Sequence, residues 1–188
     1  MTGKFMITLR YLREIGACAE GRSEFEKHFP EGGEYQEVLD KCAEEGRMDF
    51  AIWLLHKVGP TDDVRTYEDQ VNDVNMSICF AGTLVFEKGA IAKSIKAGCG
   101  IEAGWGIKAV CGIKAGEGIK AGCGIEAGEG IKAGWGIEAG CEYGIFAGIR
   151  IKIKDWSCFA KVSAQSKPKN LISGHWEEQS DTRDSDQD

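Results

Sequence analysis

A six-residue phrase repeated from Ile95 onward constrains this chain more than anything else in it: IKAGCG, IEAGWG, IKAVCG, IKAGEG, IKAGCG, IEAGEG, IKAGWG, IEAGCE. Units that short cannot each bury a core, so they must stack and bury one another. Read from the alanine, each unit is Ala-Gly-x-Gly-Ile-Lys/Glu. Ile and Ala flank one charged residue, which makes a three-residue strand with two apolar side chains inward and the charge outward. The Gly-x-Gly that follows reads as a corner, with glycine available for positive φ. A helix is excluded because the apolar spacing is not 3.6 and each interior glycine would cost about 1 kcal/mol. A flexible linker would not keep Ile95, Ile101, Ile107, Ile113, Ile119, Ile125, Ile131 and Ile137 without exception.

Charge columns bear on the size of the coil. With eighteen residues per coil the columns are Lys96/Lys114/Lys132, Glu102/Lys120/Glu138 and Lys108/Glu126, two of which alternate in sign. With twelve, every lysine stacks on another about 4.8 Å away. Three-sided, eighteen-residue coils are therefore expected. The hexads resemble the hexapeptide-repeat proteins that form left-handed parallel β-helices, in which three hexads make a triangular coil. The resemblance covers the middle third of the chain, and here the bulky residue stands where that family often has a small one. The expected fold class is mainly β with a small α domain: a hexad β-solenoid, a left-handed β-helix by this resemblance, capped by a short N-terminal helical unit.

Residues 1–60 read as that cap. Met6–Ile15, Ser23–Phe29, Tyr35–Glu45 and Met48–Val58 carry apolar residues at helical spacing, punctuated by Gly16, Pro30, Gly32-Gly33, Gly46 and Gly59-Pro60. Their apolar faces, among them Leu9, Leu12, Phe25, Phe29, Val38, Leu39, Phe50, Trp53, Leu54 and Leu55, supply a small core that covers the open first coil. Residues 61–75 (TDDVRTYEDQVNDVN) read as an acidic linker. The solenoid is expected over 76–163, closed by a C-terminal capping strand in which Ile149, Ile151 and Ile153 alternate with Arg150, Lys152 and Lys154. Residues 164–188 form a C-terminal segment whose acidic tail, EEQSDTRDSDQD, reads as disordered.

The composition offers little chemistry. The eight cysteines show no CxxC, and His28, His56 and His175 lie far from the cysteine ladder, so no metal and no cofactor is expected. The N-terminal residues lack a signal-peptide pattern, and no segment approaches twenty apolar residues. Free thiols, a cytoplasmic location and no membrane association are expected. Left-handed β-helix proteins are often acyltransferases using a histidine on the coils, but these coils hold neither histidine nor aspartate, so no enzymatic activity is expected. Ice-binding solenoids present ranks of threonine; these faces present Lys and Glu.

What is left is a binding or assembly protein. Trp105 and Trp135 stand at the x of Gly-x-Gly, where the side chain points outward, and aromatics there are candidate partner contacts. Residues 1–75 hold nine Lys/Arg against sixteen Asp/Glu and so account for the net charge of −7. Glu34, Glu37, Glu44 and Glu45 are the candidate residues of an acidic face that suits a protein partner with a basic surface and repels nucleic acid, so no direct nucleic-acid binding is expected. A helical cap, a short near-perfect repeat and an acidic face resemble, in style, small phage and prophage accessory proteins, including anti-CRISPR-like inhibitors of host defence nucleases. That resemblance implies a non-catalytic inhibitor that occupies a basic surface of a nucleic-acid-handling complex. A structural, self-assembling β-solenoid is the alternative, and a homodimer stays open.

Overall fold

The computed structural model describes residues 5–179. Four N-terminal helices, α1 (Leu9–Glu14), α2 (Ala19–His28), α3 (Tyr35–Glu44) and α4 (Met48–Val58), precede a parallel β-solenoid of about six turns. The starts of α1 and α2 and the ends of α1, α3 and α4 have local causes. The Thr8 hydroxyl accepts from the Tyr11 N–H and the Cys18 thiol from the Gly21 N–H, each satisfying an orphan donor of a first turn. Gly16, Gly46 and Gly59 follow the ends of α1, α3 and α4 at positive φ.

The solenoid has three faces. The first is Val64–Tyr67, Thr83–Phe86, Ile101–Ala103, Ile119–Ala121 and Ile137–Glu138. The strands Val71–Phe80 and Ala90–Ala97 each run across two faces. Their first halves lead Ile107–Ala109, Ile125–Ala127, Ile145–Phe146 and Leu171–Ser173 on the second face. Their second halves lead Ile113–Ala115, Ile131–Ala133, Lys161–Ala164 and His175–Glu178 on the third. Ile101 pairs with Ile119 and Ile119 with Ile137, so a coil holds eighteen residues, three hexads, as the charge columns imply. Inside, Ile and Ala from every coil form one continuous core, with Ile101, Ile113, Ile125 and Ile131 fully buried. Each buried isoleucine contributes roughly 1.5–3 kcal/mol.

Expectations for both ends of the solenoid are corrected. Residues 61–75 are not a linker: Val64–Tyr67 and the start of Val71–Phe80 are strands of the first coil, polar because their outward side chains meet solvent. The solenoid likewise extends past 163, through Leu171–Ser173 and His175–Glu178. Ile149, Ile151 and Ile153 do not form a capping strand. Gly148, at positive φ, turns the chain out of the corner, and Lys161–Ala164 takes the place beside Ile131–Ala133. Residues 148–160 form an excursion with a 3-10 turn, Ile153–Asp155, and a short helix, α5 (Trp156–Phe159). From residue 180 on, the acidic tail lies outside the described residues.

The glycines of Gly-x-Gly take no positive φ. The first of each pair is required by closeness instead: a Cβ on Gly98, Gly104, Gly116, Gly122, Gly128 or Gly134 would lie 1.8–2.1 Å from a backbone carbonyl oxygen of the coil beneath. The single departure, Val110, sits above the one corner that is a residue shorter, since Ala92 pairs with Ala109 while Ile95 pairs with Ile113.

Candidate binding site

The helical unit joins the solenoid through one face of α3. Gln36 places its side-chain amide against the free edge of Val71–Phe80: its nitrogen donates to the Cys79 carbonyl and its oxygen accepts from the Ala81 N–H, both at 2.9 Å. A neighbouring strand in parallel register would satisfy these same two groups, so the amide stands in for a backbone peptide. Asp40, one turn on, accepts from Gln36 at 2.9 Å and holds the Arg65 guanidinium through two bonds of 2.8 and 2.7 Å. Arg65 lies 4.6 Å over the Phe80 ring at the open end of the core. Hydrogen bonding to Asp40 pushes the Arg65 pKa up, so the guanidinium stays charged at every relevant pH.

The opposite face of α3 lines a cleft of about 270 Å³ among the helices. Val38 and Cys42 meet Leu12 from α1, Phe25 and Phe29 from α2, and Phe50, Trp53 and Leu54 from α4. Phe25 and Phe29 stack at 5.5 Å. The rim is charged and mostly self-paired: Lys41 with Glu45 at 2.8 Å and Glu44 at 3.7 Å, Arg47 with Glu20 at 2.9 Å and Asp49 at 3.5 Å. Arg47 also covers the Phe50 ring at 3.9 Å. Two thiols line the cleft, Cys18 and Cys42, and burial pushes the Cys42 thiol up to about 11, which keeps that one neutral. The cleft is built to take apolar groups.

The predicted contacts fall on separate surfaces. Trp105 and Trp135 are exposed corner residues, at 53% and 59%, but they occupy different corners on either side of the first face. Trp105 stacks in a column with Cys123 and Tyr143 and edges a shallow groove that holds Phe146 and the Lys108–Glu126 pair, 2.7 Å apart. Trp135 shares its column with Cys99 and Glu117. Glu37, Glu44 and Glu45 are exposed on or just beyond α3, and Glu44 and Glu45 reach the cleft rim through Lys41. Glu34 is half-buried, in a two-residue strand opposite Met6. The cysteines repeating at twelve residues point from different corners, and every cysteine is a free thiol.

Of the residues expected in the small helical core, Phe25 is buried there, while Phe29, Phe50 and Trp53 are half-buried and line the cleft; the sequence pattern did not single out Gln36, Asp40 and Arg65. The signal for the latter was a polar i, i+4 pair on an otherwise amphipathic helix, together with an arginine among the inward positions of the first coil.

Fold and surfaces define a parallel β-solenoid capped by a helical unit that carries an apolar cleft. Residues 1–58, which include all four helices and the cleft, match the family model described as the YdhT N-terminal domain. No curated protein and no solved structure gives a significant match. Among the described residues, no helix is long and apolar enough to cross a membrane.

Proposed function

We propose that this is a non-catalytic protein-binding module in which the helical unit grips its partner and the solenoid serves as a rigid body behind it. One observation carries the reading: the apolar cleft of Phe25, Phe29, Phe50 and Trp53, open to solvent and ringed by Glu20, Glu24, Glu44, Glu45 and Asp49. Aromatic residues in a pocket with a charged rim are the usual composition of a protein-binding hot spot. The acids outnumber Lys27, Lys41 and Arg47 around them, which favours a basic partner and disfavours nucleic acid. A cytoplasmic inhibitor, of phage type and anti-CRISPR-like in action, that occupies a basic surface of a nucleic-acid-handling complex is the finer form of this reading. The hexapeptide-repeat resemblance bears on the solenoid and adds no activity to it. Trp105 and Trp135 extend the contact surface in this scheme.

The test is capture by immobilised full-length protein at low and moderate salt, beside two variants: Glu37→Lys/Glu44→Lys/Glu45→Lys and Trp105→Ala. A partner retained by the wild type, lost with charge reversal and weakened by salt is the expected result. Retention of the same partner by the charge-reversed chain would overturn the reading.

A further inference from the structure

We propose that a second copy of this chain can occupy the cleft, through the excursion of residues 148–160, so that chains join head to tail. The inference rests on reading the cleft as a protein-binding site.

The excursion is the most exposed apolar feature of the described chain. Ile153 is 93% exposed, Phe159 58% and Ile149 49%. Their anchorage is firm. The Gly148 N–H donates to the Glu129 carbonyl, the Arg150 N–H to the Gly128 carbonyl, and Trp156 packs back on Gly148. A stapled base presenting bulky side chains at its apex is pre-organised for docking, since little chain entropy is left to lose. Arg150 and Lys152 stand between the isoleucines and Lys154 follows the last of them, with Asp155 the one acid in residues 148–160.

Both sides of the match are thus present in one chain. The excursion is apolar and basic, in a protein whose net charge is −7. The cleft is apolar, and on its rim the acids Glu24, Glu45 and Asp49 outnumber the bases Lys41 and Arg47. Ile153 does not enter its own chain's cleft, as its exposure shows, and the two features lie at different levels of the rod. The cleft packs beside the first coil, and the excursion leaves between Ile145–Phe146 and Lys161–Ala164 of the fifth. A contact between two different patches is heterologous, so it propagates into a chain or closes into a ring and does not stop at a two-fold dimer.

The experiment is light scattering on the full chain across concentration, at low and moderate salt. The average mass is expected to rise with concentration and to fall with salt. Ile153→Glu should weaken association by roughly ten- to a hundredfold, the worth of one buried bulky apolar side chain. Glu24→Lys/Asp49→Lys, on the exposed rim, should weaken it similarly without touching the core. Mixing these two variants is decisive: each keeps one sound surface, so together they should form a 1:1 pair that grows no further. Wild type that stays monomeric throughout, association unaffected by Ile153→Glu, or variants that fail to pair on mixing would each overturn the proposal. The capture experiment above reads the cleft's binding to other proteins separately, so self-docking can fail while that reading stands.

Discussion

Gly116 and Gly118 sit two residues apart in the same corner, and the structure predicts opposite consequences for the same substitution. A Cβ at Gly116 would lie 1.9 Å from the Gly98 carbonyl oxygen and 3.0 Å from its carbon, both backbone atoms of the coil beneath. Relief requires the coils to part by about 1.5 Å, and the bonds from the Gly116 N–H to the Ala97 carbonyl (3.2 Å) and from the Glu117 N–H to the Cys99 carbonyl (3.0 Å) do not survive that. Two lost bonds at about 1 kcal/mol each, plus the cost of leaving inter-coil groups unpaired, put Gly116→Ala at roughly 3–5 kcal/mol. At Gly118 the nearest atom to a new Cβ is the Gly136 oxygen at 3.7 Å, an ordinary contact, and φ is not positive. Gly118→Ala should cost nothing or stabilise by up to about 1 kcal/mol, through the unfolded chain's lost freedom. Urea denaturation followed by circular dichroism measures both. Equal destabilisation by the two substitutions would refute the close-approach argument and return the glycines to a role in backbone conformation.

Gln36→Ala should cost about 2–4 kcal/mol, because the buried Cys79 carbonyl and Ala81 N–H both lose their partner; faster hydrogen exchange at Ala81 is the local readout, and unchanged exchange there would count against the amide's role. Lys96, Lys114 and Lys132 form a column of like charge, and burial together with those neighbours lowers the Lys96 pKa. Lys114→Glu turns two repulsions into attractions and should raise the thermal midpoint by the equivalent of about 0.5–1 kcal/mol at low salt, an effect that fades as salt is added. Burial pushes the Cys79 thiol up to about 12 and Cys42 up to about 11. Between about pH 9 and those values the unfolded thiols have lost protons that the folded ones keep, so stability falls as pH rises, by roughly 1 kcal/mol per pH unit per thiol. Cys79→Ala should make that fall shallower when urea midpoints are compared across the alkaline range, and an unchanged slope would show that the thiol ionises freely in the folded protein.

The strands were legible because Ile-x-Ala encodes its own two faces within three residues, and the coil length because Glu102, Lys120 and Glu138 alternate only when eighteen residues separate neighbours. The helices followed from spacing and from Gly16, Gly46 and Gly59 at their ends. What failed was everything decided by the coil next door. Val64–Tyr67 looks like loop because its strand character lies in pairing with Thr83–Phe86, not in its composition. Ile149 to Ile153 alternates as a strand should, yet the register beside Ile131–Ala133 is filled by Lys161–Ala164. The cleft was hidden for a related reason. Phe50 and Trp53 carry the pattern of core residues, and nothing local tells a helix face that is closed over from one left half open.

α3 links the two halves of the molecule. Gln36 and Asp40, four residues apart, face the solenoid edge; Val38, Lys41, Cys42 and Glu45, at spacings of three and four, face the cleft. A group filling the cleft therefore buttresses the same helix that closes the first coil. Ligand binding stabilises whatever conformation it selects, so an occupant of the cleft should also tighten the Gln36 and Arg65 contacts and slow exchange at the Ala81 amide. The converse holds by linkage: Gln36→Ala, which touches no atom of the cleft lining, should weaken cleft binding in proportion to how far it loosens α3. Solenoid closure and partner binding would then be two readouts of one helix, and a Gln36→Ala chain that opens the coil edge yet binds with unchanged affinity would show that they are independent.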